Sequence, residues 1–143
     1  MTKKKLLIGI FTIVLLLFAS SVPADELTPE QFLAKFYAWY FETDAREVAD
    51  LNDSIYEFVS PETVTYMQNR TNRTEYYVTR AQSWSAAWKN PEIEIGSAIA
   101  LYGGIFFVPV TFKITYRDWH VVVYVKKEGD EFKVIKVSDI FPY

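Results

Sequence analysis

The spacing of apolar residues changes twice along this chain, and each change marks a different kind of element. Residues 6–18 form an almost unbroken apolar run behind Lys3, Lys4 and Lys5 and ahead of Val22, Pro23 and Ala24. A basic start, a short apolar run and small residues before Asp25 make a secretory signal pattern, which predicts a cleaved leader over residues 1–24. The run of 13 residues is shorter than the ~18–20 that a helix needs to cross hydrocarbon, which disfavours an uncleaved anchor.

After the leader the spacing becomes helical. Phe32, Phe36, Trp39 and Tyr40 recur at i, i+4, i+7 and i+8, with Leu33 and Tyr37 widening the stripe. Thr28, Pro29 and Gln31 supply a capping-box start, so a helix is predicted to about Glu42. A short helix is expected over residues 45–51, ended by Asn52-Asp53; residues 55–59 then lead to a helix over 61–69 opened by Ser60, Pro61 and Glu62. Tyr77, Ala81, Trp84 and Trp88 recur at i, i+4, i+7 and i+11, which predicts another helix that stops at Asn90-Pro91.

Beyond Pro91 the period shortens to two. Residues 93–102, 105–116, 119–126 and 132–137 are rich in β-branched and aromatic side chains, with turns expected at Gly103-Gly104, Arg117-Asp118 and residues 128–130. Val110, Phe112, Ile114 and Tyr116 alternate with Thr111, Lys113 and Thr115, so one face of that strand should be covered and the other partly wet. The predicted fold class is α+β: N-terminal helices packed on a curved four-stranded antiparallel sheet. Residues 25–143 have the size of one domain.

Composition removes several functions. The sequence has no cysteine, which excludes disulfides, thiolate metal sites and a lipoprotein acceptor, so nothing covalent is expected to hold the cleaved chain to a membrane. Loss of the leader removes three lysines and no acid, taking the net charge from −3 to −6. An acidic domain without a basic stripe has no electrostatic reason to seek nucleic acid. The expected location is periplasmic or secreted.

The aromatic pattern carries a resemblance. Phe36, Tyr37, Trp39 and Tyr40 after a Pro29 helix start, Tyr76-Tyr77 followed by Gln82 and Trp88, and a closing hairpin over residues 121–137 resemble the bacterial envelope family called domain of unknown function 3828. That family lies within the nuclear transport factor 2-like superfamily. The resemblance spans most of residues 28–138 and implies a cone-like fold and an envelope address. It brings no catalytic residue and no cofactor.

Two groups of residues are candidates for function. Arg70, Arg73, Tyr76 and Tyr77 belong to a polar, aromatic stretch between predicted helices, the residue types that dominate protein contacts. Tyr37, Trp39, Tyr40, Trp84, Trp88 and His120 are candidates to line a cavity inside the cone, although rings in so small a domain more often fill the core. His120 is the one histidine, Glu92 and Glu94 sit where a strand start should expose them, and no spacing suits zinc or calcium. No metal, cofactor or catalytic residue is predicted. The leading expectation is a non-catalytic binding module of inhibitor or immunity type, its partner an envelope protein. The alternatives are a carrier of a small apolar ligand in the cone and, after that, a small cone-fold enzyme. The outer sheet surface leaves room for a homodimer.

Overall fold

The computed structural model describes residues 26–43, 53–70, 76–81 and 85–139. The leader, the helix expected over residues 45–51, Arg73 and Trp84 lie outside these described residues. Helix α1 runs Pro29–Glu42, and its start is the expected capping box: Thr28 Oγ1 accepts from Gln31 N–H at 3.2 Å while Thr28 N–H donates to Gln31 Oε1 at 3.0 Å. The helix buries Phe32, Leu33, Phe36, Tyr37 and Tyr40, the predicted stripe apart from Trp39, which is half-buried. Helix α2, Pro61–Asn69, is capped by Ser60, whose Oγ accepts from Thr63 N–H. Between them, Asp53–Glu57 forms a single 3-10 segment.

The sheet contains β1 (Glu92–Ile95), β2 (Ile99–Ala100), β3 (Ile105–Ile114), β4 (Arg117–Glu128) and β5 (Glu131–Ser138). Every pairing is antiparallel in the order β1-β3-β4-β5, with β2 also on β3. Helices packed on this curved sheet give the α+β, cone-like architecture. The predicted strand over residues 93–102 is two short strands, so the sheet has five members where four were expected. Gly96, just past the end of β1, still bonds to β3. Its N–H donates to Pro109 O at 2.8 Å, and a Cβ there would stand 2.7 Å from Pro109 Cγ. The β3–β4 turn is Thr115-Tyr116 rather than Arg117-Asp118, because Ile114 already pairs with Arg117.

The helix expected from Tyr77 to Trp88 does not form. Residues 77–80 are a turn, Tyr76 bridges Ala81, and Ala86–Trp88 is one 3-10 turn. Arg80 has φ 57°, a left-handed value that an α-helix interior does not contain. Bonds from distant elements override the local period: Tyr37 Oη donates to Val78 O at 2.9 Å, and Trp119 Nε1 donates to Thr79 O at 2.8 Å.

Register divides the sheet into two faces. Val108, Val110 and Phe112 on β3, with Val121, Val123 and Val125 on β4, face the helices and are buried. Phe112 is the hub, with ring centroids 5.0 Å from Tyr37, 5.8 Å from Phe41 and 5.6 Å from Trp88. Phe107, Thr111, His120 and Tyr124 occupy the opposite face. There Thr111 Oγ1 and His120 Nδ1 are 2.9 Å apart on an exposed surface.

Candidate protein-contact site

The described residues form an open groove of about 580 Å³ between α2, the turn at residues 76–81 and the end of β5, with Glu62, Tyr66, Tyr77, Arg80, Lys136 and Asp139 among its lining. It exists because the outer edge of β5 is covered by side chains and a neighbouring segment rather than by another strand. Upstream, Val134 N–H donates to Phe58 O at 2.7 Å and Ser60 N–H donates to Val134 O at 3.0 Å, one parallel bridge that seats the start of α2. Thr63 Oγ1 then donates to Ile135 O at 2.8 Å, and Val137 N–H donates to Tyr77 Oη at 3.3 Å. Two hydroxyl groups thus satisfy backbone that an edge strand would leave open.

Tyr77 is the centre of the groove floor. Its side chain is buried, and burial is the largest influence on its phenol, raising the pKa above 10 so that the hydroxyl stays neutral. The guanidinium carbons of Arg70 and Arg80 stand 5.7 and 5.8 Å from its ring centroid, and Tyr66 packs edge-on at 5.6 Å. Arg80 also reaches Asp139 at 3.8 Å. The left-handed backbone at Arg80 costs about 1–2 kcal/mol, and strain of that kind clusters at functional sites. Tyr66 is the exposed ring of the groove, at 58% exposure. Chemically this is a surface for contact, with the rings of Tyr66 and Tyr77, the cations of Arg80 and Lys136, and the carboxylates of Glu62 and Asp139.

Of the predicted contact residues, Tyr77 lies in the groove floor, Arg70 faces its ring from the end of α2, and Tyr76 is half-buried, its N–H donating to Ala81 O at 2.7 Å. Tyr77 belongs to the folded scaffold and cannot be removed without loss of stability. Tyr66, Arg80 and Asp139 complete the site, and no local sequence pattern marks them. Arg80's role depends on a backbone angle, and Asp139's on where β5 ends.

Of the predicted cavity residues, Tyr37, Tyr40 and Trp88 are buried among other rings, and Trp39 is half-buried against Phe36 and Phe58. Burial raises the pKa of both Tyr37 and Tyr40, so neither phenol ionises at neutral pH. A second hollow among the described residues, of about 240 Å³ near Phe32 and Phe132, touches none of these four. His120 is corrected: strand alternation places it on the outer face, where it meets Thr111 rather than the helices. Glu92 and Glu94 share Lys113, at 3.7 and 2.6 Å, and the hydrogen bond to Glu94 is the main reason the Lys113 pKa is raised. Among the described residues no three potential ligands gather to hold a metal ion, and no helix is long and apolar enough to cross a membrane.

No family model matches the chain, and no curated protein matches it. Among solved structures, the fold is similar to a chain of the crystal structure of the type VI native effector-immunity complex Tae3-Tai3 from Ralstonia pickettii. The TM-score is 0.67 and the identity 24%, over 82% of this chain and 98% of that chain.

Proposed function

We propose that this chain is a non-catalytic, immunity-type module that works outside the cytoplasm by binding a protein effector. The observation that carries the reading is the likeness to nearly the full length of a chain from an effector-immunity complex. The sequence has no cysteine and its one histidine sits on the outer face beside Thr111, so no cysteine–histidine pair is present. The groove around Tyr77 suits protein contact, because Arg and Tyr carry much of the binding energy at interfaces. Membership of the envelope family called domain of unknown function 3828 is part of the same proposal, as are the leader and its cleavage.

The test starts with tagged residues 25–143 as bait in an envelope extract of the host. A stoichiometric partner that kills cells when exported, and no longer kills when this chain is exported with it, supports the reading. If no captured protein is toxic, or toxicity persists despite co-export, the reading fails.

A further inference from the structure

Among the described residues, a run of exposed apolar side chains lies away from the groove, at the junction of β2 and β3. Residues 95–112 contain no charged side chain. Within them Ile99 is 56% exposed, Leu101 46% and Tyr102 96%, and residues 99–104 are exposed throughout. Single exposed apolar residues need no explanation, but three in one uncharged projection do.

The projection is built to hold its shape. Leu101 N–H donates to Ile105 O at 2.7 Å, and Gly103 and Gly104 have φ of 73° and 75°, values that favour glycine. A Cβ on Gly103 would meet nothing within 4 Å, so backbone conformation, not crowding, calls for glycine there. At the base, Ala98 N–H donates to Glu30 Oε1 on α1 at 2.7 Å and Gly96 N–H donates to Pro109 O at 2.8 Å. A loop ordered before binding loses less entropy on binding. Beside it, Lys127 pairs with Glu26, and Lys126 with Glu128 at 3.4 Å. An apolar centre with a polar rim is the usual anatomy of a protein interface.

We propose that the hairpin tip at residues 99–104 is an apolar anchor that enters an uncharged cleft of a protein partner, with Ile99, Leu101 and Tyr102 as the inserted side chains. The absence of charge over residues 95–112 sets the chemistry of that cleft, because an unpaired carboxylate or ammonium there would be desolvated without compensation. A membrane surface fits less well: the adjacent lysines are each paired with an acid, so no basic collar is left to meet anionic head groups. A second copy joined through strand addition fits less well too, since β2 offers a two-residue edge.

This inference rests on the proposed effector-binding function, and its test separates the two. The cysteine-free sequence allows one dye at one site, so acrylodan is attached to Tyr102→Cys and, as a control, to Tyr116→Cys on the 86% exposed ring of the β3–β4 turn. The probe added is the effector neutralised in the co-export experiment. A blue shift at position 102 and none at 116, with affinity lowered about 30-fold or more by Leu101→Asp or Tyr102→Asp in a normally folded chain, supports the anchor. Unchanged affinity overturns the anchor and leaves the effector-binding function standing. Failure to neutralise any effector overturns both. Anionic phosphatidylglycerol vesicles, or raised concentration of the chain alone, giving the same shift without effector would reassign the tip to lipid or to a second copy and overturn it.

Discussion

The groove around Tyr77 and the tip at Tyr102 present aromatic residues in opposite ways. Tyr77 is 6% exposed, accepts a backbone hydrogen bond and faces two guanidinium groups. Tyr102 is 96% exposed on an uncharged hairpin. The first ring is part of the scaffold and presents its neighbours. The second contributes little to the scaffold and is displayed by it. Loss of the Tyr77 ring should therefore cost stability, whereas loss of the Tyr102 ring should not.

The largest expected effect is on the groove. Tyr77→Ala removes a buried ring, strands Val137 N–H and should cost about 3–5 kcal/mol in urea denaturation. A cost below about 1 kcal/mol would break the contrast. Next is the base of the tip, where Gly96→Ala forces a Cβ against Pro109 and should cost about 1–3 kcal/mol. Thr63→Val removes the hydroxyl bonded to Ile135 O and to Ser60 Oγ, with an expected cost of about 1–2 kcal/mol and local exchange of the α2 start.

Glu30 gives a smaller, pH-dependent effect. Its carboxyl lies below the ordinary value of 4.5 in the folded chain, first because it accepts the Ala98 N–H. A folded value below the unfolded one means the contribution is complete above about pH 4.5 and is lost as pH falls through the folded value. Hydrogen exchange at Ala98 should quicken on acidification in the natural chain relative to a reference amide, and Glu30→Gln should flatten that response. The smallest effect belongs to the tip: Tyr102→Ala should leave stability within about 0.5 kcal/mol, measured in the same urea series. A larger loss would show that the tip packs more than its exposure indicates.

The fold was legible where local and tertiary demands agree. Thr28, Pro29 and Gln31 set the start of α1, and the Phe32–Tyr40 stripe became its buried face. Alternation at Val110 and Phe112 placed the core side of β3, whereas Tyr116, expected on the same covered face, is 86% exposed in the β3–β4 turn. The segment after Tyr76 was not legible, because its aromatic period mimics a helix while Tyr37, Trp119 and Val137 bond it into a turn. The site depended on that same segment. Tyr77 was named from its residue type, but Tyr66 and Arg80 join it only once the turn brings them together. The sequence leaves the face of His120 open, because a one-residue shift along β4 exchanges its faces, and pairing with Thr111 puts it outside.

Under the proposed immunity role the chain silences an effector by occupying it. The direct measurement is the activity of the purified effector titrated with residues 25–143 at concentrations well above the dissociation constant. Activity should fall linearly and vanish near one equivalent; full activity at a tenfold excess of this chain would contradict the claim.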